Sequence, residues 1–143
     1  MPRHDLHNSI KVTQAVKPQV VSSNTTTVGT IIDLAGYETC EFAIAYGTMP
    51  DADIVPLLEE GDASNLSDAA AVADGDLLGT EAEAGATQTT DEVVNKLGYR
   101  GGKRYVRLSL VSTSTTGDNP VSAVAILGGS NNQRVEPDGA TPG

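Results

Sequence analysis

Apolar and polar residues alternate along most of this chain. In TCEFAIAY, Cys40, Phe42, Ile44 and Tyr46 fall on one face, and Glu41, Ala43 and Ala45 on the other. A period of two is that of a strand with one face buried. Val28, Thr30, Ile32 and Leu34 are phased the same way, and Ala35-Gly36 turns the chain between the two segments. DADIVPLLEEGD predicts a third strand, with Val55 and Leu57 on one face and Ile54 and Leu58 around Pro56. Proline has no N–H to give a ladder, so this strand is expected at an edge or at a bulge.

Beyond it the pattern breaks up. Ala69 to Ala73 fits one helical turn, DGDLLG fits a turn and a short strand, and Gly75, Gly79 and Gly85 exclude a long helix. Two further strands flank Gly101-Gly102, a pair suited to a hairpin turn. In the second of these, Val106, Leu108 and Leu110 alternate with Tyr105, Arg107 and Ser109. VSAVAILGG is almost wholly apolar, as for a strand buried on both faces or packed beneath a neighbour. About seven to nine short strands with turns between them and no βαβ alternation predict an all-β fold, an antiparallel β-sandwich or jelly roll. The expected division is an N-terminal arm over 1–18, a body over 19–128 and a flexible tail over 129–143. Within the arm, residues 10–16 are extended and suited to pairing with an edge or lying on a neighbour.

Composition narrows how such a body is built. There is no Trp, one Phe and four Tyr in 143 residues, so Val, Ile, Leu and Ala must fill the core. The lone Cys40 excludes an intrachain disulfide and a cysteine zinc cage, and on an apolar strand face it reads as core. MPRHDLHNSI lacks the apolar run of a secretion signal, and no stretch is long and apolar enough for a membrane span. The expectation is a soluble protein made in a cytoplasm, in which the Asn24 and Asn65 sequons carry no meaning.

Charge is segregated. The net charge is −10, and from Gln19 to Asn95 there is no Lys or Arg. Fifteen of the nineteen acids lie between Asp33 and Glu92. Such acidity argues against binding a nucleic-acid backbone. Five of the nine basic residues, Lys96, Arg100, Lys103, Arg104 and Arg107, gather around one segment. Lys96, Arg100, Lys103, Tyr105 and Arg107, with Arg3, Lys11 and Lys17 of the arm, are the candidate partner-binding residues. The alternative is that these cations pair with acids on adjacent strands of the same chain.

Catalytic and metal patterns are weak. His4 and His7, the only histidines, lie in the expected arm. Glu59, Glu60, Asp62, Asn65 and Asp68 offer hard oxygen ligands, but their spacing fails the calcium-loop pattern, and a solvated acidic loop is favoured. No nucleophile elbow, phosphate loop or dinucleotide fingerprint occurs. The reading is therefore no enzyme, no catalytic residue, no metal and no cofactor. Few aromatic rings also weigh against a sugar-binding module.

From about residue 20 to 128 the chain resembles small structural proteins of tailed bacteriophages. The shared features are Leu34-x-Gly36-Tyr37 between two strands, an L-x-E segment at Leu57 to Gly61, DLLGT from Asp76 to Thr80, and GY-x-G-x-KRYVR from Gly98 to Arg107. Pro56 and the terminal segments fall outside that pattern. The resemblance implies a capsid decoration or cement protein on the outer surface of the virion. Such a protein would act as a dimer or trimer bound to the major capsid protein, without catalytic residues. A tail or head–tail adaptor and a carbohydrate-binding module are the alternatives.

Overall fold

The structure, a computed structural model, describes residues 6–129. Its strands are β1 (Ile10–Val21), β2 (Thr26–Asp33), β3 (Thr39–Tyr46), β4 (Asp51–Gly61), β5 (Ala70–Ala71), β6 (Leu77–Leu78), β7 (Ala86–Thr87), β8 (Val94–Tyr99), β9 (Tyr105–Thr116) and β10 (Asn119–Gly128). One sheet runs β1-β10-β3-β8-β6 and the other β2-β9-β4-β5, with β7 also on β4. Every pairing is antiparallel, and the two sheets pack face to face as a sandwich. The chain repeatedly changes sheet, so consecutive strands seldom pair.

The core is what the alternation predicts. Cys40, Phe42, Ile44 and Tyr46 of β3 and Val121, Ala123, Ala125 and Leu127 of β10 meet Val106, Leu108 and Leu110 of β9, all buried. Each large aliphatic or Phe side chain removed from water contributes about 1.5–3 kcal/mol, so this interlayer is the main source of stability.

Five local expectations change. First, β1 starts at Ile10 and pairs with β10 along its length, and Ala15, Val16 and Val21 are core residues. The expected boundary at residue 18 thus falls inside a strand, because the polar residues of β1 mark an edge rather than an arm. Second, a register shift lies between Val28 and Ile31, where three β2 residues span two on β9. This bulge reverses the facing of the strand, leaving Val28 59% exposed and Ile32 buried. Third, Val55 and Leu57 do share a face, but it is the outer one. Ala52, Ile54, Pro56 and Leu58 fill the core.

The last two concern connections. Residues 69–73 hold strand β5 instead of a helical turn, and a single 3-10 turn follows at Asp74–Asp76. Gly101-Gly102 is no hairpin, since β8 and β9 lie in different sheets and the segment between them crosses the sandwich.

Pro56 behaves as expected of an edge. β5 pairs with Glu59 and Glu60 and β7 with Asp53 and Ile54, which leaves the outer side of β4 uncovered between them. Leu58 N–H points outward and is met by a Glu81 carboxylate oxygen at 2.8 Å. Pro56, two residues earlier, has the same outward phase and no N–H to satisfy.

Candidate functional site: a charged end of the sandwich

One end of the sandwich gathers residues far apart in sequence. The β2–β3 turn from Leu34 to Glu38 faces the β8–β9 crossing from Arg100 to Arg104, and Asp62 approaches from the loop after β4. Together with Cys40 and Tyr99 they line a cleft of about 380 Å³. Leu34 N–H donates to the Arg104 carbonyl at 2.8 Å, which ties the two segments, and Arg100 N–H donates to the Asp76 carbonyl at 2.9 Å, which ties the crossing to the 3-10 turn. Tyr99 anchors the crossing. Its hydroxyl donates to Glu60 at 2.7 Å and accepts from Lys103 N–H at 3.0 Å. Gly101 packs on the Tyr99 ring, and a β-carbon there would fall 2.6 Å from the ring carbon bearing the hydroxyl.

Three cations of this end are met by acids of the same chain, and Arg100 by a backbone carbonyl. Lys103 pairs with Asp62 at 3.1 Å. Arg104 grips Asp33 through two bonds, Nε to Oδ1 at 2.9 Å and Nη2 to Oδ2 at 3.0 Å, and its guanidinium lies 5.1 Å from the Tyr105 ring centre. Arg107 reaches Glu59 at 3.1 Å, and Arg100 Nε donates to the Gly75 carbonyl at 3.1 Å. The hydrogen bond from Arg104 holds the Asp33 carboxyl below its usual range, and Asp62 raises the Lys103 ammonium. Exposed pairs of this kind are screened by water, so they position the loops more than they stabilise the body.

The remaining candidates lie elsewhere. Lys96 is on the outer face of β8, opposite Ala43, and Lys11 and Lys17 are exposed on edge strand β1. Arg3 and His4 fall outside the described residues. Glu59 and Asp62 escaped selection as partners because sequence spacing does not say that β4 lies beside β9. Opposite charges in facing strands, Glu59 against Arg107, are the signal that a known register would have supplied.

The acidic loop is organised by its own backbone. Asp68 accepts from the N–H groups of Asp62 and Ala63, and Asn65 from that of Ser67. Backbone donation, led by Asp62 N–H, lowers the Asp68 pKa. Asp91 likewise accepts from Met49 N–H at 2.6 Å. These oxygens are turned toward backbone donors rather than toward a common centre. Among the described residues no group of three or more His, Cys, Asp or Glu is arranged to hold a metal, and no helix is long and apolar enough to cross a membrane.

Cys40 borders the cleft but is buried, and desolvation, with a smaller push from Glu41, raises its thiol from 9.0 to about 12. At pH 8 its thiolate fraction in the folded protein is then about a thousandfold below that of the unfolded chain. Ellman's reagent is expected to leave the native thiol essentially unmodified and to react promptly in guanidinium. Rapid native labelling would refute the burial. The raised value also has a sign for stability. Well below pH 9 the thiol is neutral in both states. As pH rises from about 9 toward 12 only the unfolded chain ionises, so stability falls across that window.

Fold and site together define an antiparallel β-sandwich with a loop-built, internally paired polar end. Among solved structures, the crystal structure of SPBc2 prophage-derived protein YomS aligns with 87% of this chain and 99% of its own, at 12% identity and a TM-score of 0.42. No family model matches the sequence, and no curated protein does.

Proposed function

We propose that the chain is a structural component of a tailed-bacteriophage virion, a cement or decoration protein that binds the outside of the capsid shell and stabilises it. The observation that carries this reading is where the phage-like motifs gather. Leu34-x-Gly36-Tyr37 and the segment from Tyr99 to Arg104 are distant in sequence, yet they line the same cleft. A motif set that builds one end of a sandwich, with its charges engaged in holding loops, suits a contact surface for the major capsid protein. Weak contacts repeated over a shell add through multivalency. The acidic surface suits a protein partner rather than nucleic acid.

The adaptor reading shares this fold and differs in stoichiometry: decoration requires many copies per particle, an adaptor few. A carbohydrate-binding role fits less well. Phe42, Tyr46 and Tyr99 are buried, which leaves Tyr37 and Tyr105 as the half-exposed rings. The test is to strip the protein from purified virions and challenge the shells with heat and osmotic shock. Stripped shells are expected to rupture under milder conditions and to recover when the protein is added back. Equal resistance with and without it would end the cement proposal.

A further inference from the structure

Sheets with one solvated face ordinarily alternate apolar inside with polar outside. The β1-β10-β3-β8 sheet departs from this: its outer positions are mostly apolar, with Gln14, Ser122, Glu41 and Lys96 among them. The register aligns Val12 with Ile126, Val124 with Ala43, and Ala45 with Val94 on its outer side. Val12, Val94 and Val124 are 55%, 68% and 37% exposed. On the opposite sheet, the Arg107–Glu59 pair divides the outer face. Here the charged residues among the paired outward positions are Glu41 and Lys96, one of each sign.

Their placement is specific. Ala43 faces Lys96 and Glu41 faces Gly98, so the two charges sit on a diagonal between β3 and β8. The ion pairs within 4.0 Å among the described residues do not join them. Glu41 lies over Gly98, where an added β-carbon would fall 2.7 Å from its Oε1.

We infer that this outer face is a docking surface for a second copy of the same chain, related by a two-fold axis in the plane of the contact. Such an axis, passing midway between Glu41 and Lys96, sets each copy's Lys96 against the other copy's Glu41. An interface of this isologous kind must be self-complementary, and one acid beside one base on an apolar field satisfies that. Four strands at about 4.8 Å spacing and about nine residues long present roughly 600 Å². Two copies would bury about 1,200 Å², the lower end for a stable specific interface. Net charge favours the same face. At −10 per chain, acidic surfaces repel between copies, whereas here Glu41 is offset by Lys96, and edge strand β1 adds the exposed Lys11 and Lys17. The inference concerns the isolated chain and does not rest on the virion reading.

The experiment is sedimentation equilibrium on the purified full chain, wild type and two variants, Glu41→Lys and Lys96→Glu. Wild type is expected to dimerise. Each variant alone places like charges in contact twice and should dimerise at least about tenfold more weakly. An equimolar mixture of the two variants restores both opposite pairs in trans and should return the affinity to near the wild-type value. Circular dichroism checks that the variants fold. A second substitution, Val124→Glu, places a charge in the apolar field and should give a monomer. A wild-type chain that stays monomeric at high concentration, or variants that mixing does not rescue, would overturn the inference. A role of this charge pair within one chain predicts no rescue by mixing.

Discussion

Gly29→Val is expected to be the most damaging single substitution in the body, costing more than about 4 kcal/mol, an exceptional value for one side chain. Gly29 lies at the bulge of β2, and a β-carbon there would collide with the carbonyl oxygens of Leu108 and Ala15. Both obstacles are backbone. Leu108 belongs to central strand β9, where it is the partner of Leu58 on β4, and Ala15 lies in the irregular stretch of β1 against β10. Leu108 cannot retreat without breaking its ladder to β4, Ala15 is held between the paired Gln14 and Val16, and Val adds two methyl groups to the clash. Domains of ordinary stability hold about 5–15 kcal/mol, so the variant should melt far below wild type or collect as insoluble protein. Gly102→Ala, where a β-carbon meets nothing within 4 Å, is the control and should stay within about 0.5 kcal/mol. Equal melting temperatures for Gly29→Val and wild type would show that the two sheets do not approach as described.

Asn119→Ala is expected to cost about 3 kcal/mol through lost hydrogen bonding. Asn119 is fully buried where β9 turns into β10. Its amide donates to the Val21 carbonyl at 3.0 Å, and to those of Thr116 and Gly117 at 3.1 and 3.3 Å. Its oxygen accepts from Asp51 N–H at 3.3 Å. One side chain thus ties the end of β1, the β9–β10 turn and the start of β4. Alanine takes the donor from the buried Val21 carbonyl and leaves the part-buried groups of Thr116, Gly117 and Asp51 to water, and a buried orphan costs about 1–3 kcal/mol. The expected measurement is a lower urea midpoint at unchanged slope. Asn119→Asp keeps the shape but loses the donor and buries a charge facing carbonyls. It should be at least as unstable at neutral pH and partly relieved in mild acid as the carboxyl protonates. An Asn119→Ala midpoint equal to wild type would remove the pinning role.

The legible parts of the fold were those in which one strand carries its own evidence. β3 and the inward residues of β9 announce themselves by alternation, because burial of one face writes a period of two directly into the residues. Pro56 announces an edge, because a missing N–H has the same consequence in any sheet. At Val28 this reasoning failed. A bulge inserts one residue and reverses the phase, and what demands it, the close backbones around Gly29, lies on other strands. It failed again at Gly101-Gly102. A glycine pair signals a tight path but not a destination, and Tyr99, bonded to Glu60 of the other sheet, carries the chain across.

The candidate site divides the same way. The clustering of Arg100, Lys103, Arg104 and Arg107 is a property of the sequence, and so is the long acidic stretch that precedes it. Which acid meets which base is not, since Asp33 and Arg104 are 71 positions apart and meet only because β2 pairs with β9.

By itself the sequence determined the layered β character, the aliphatic core and the separation of charge, since these depend on residue type and spacing of one or two positions. Tertiary structure alone decided the order of strands in each sheet, the neutralisation of the basic segment and the apolar outer face of the first sheet. Those depend on pairings between distant segments, whose free energy belongs to both partners and is therefore written in neither one alone.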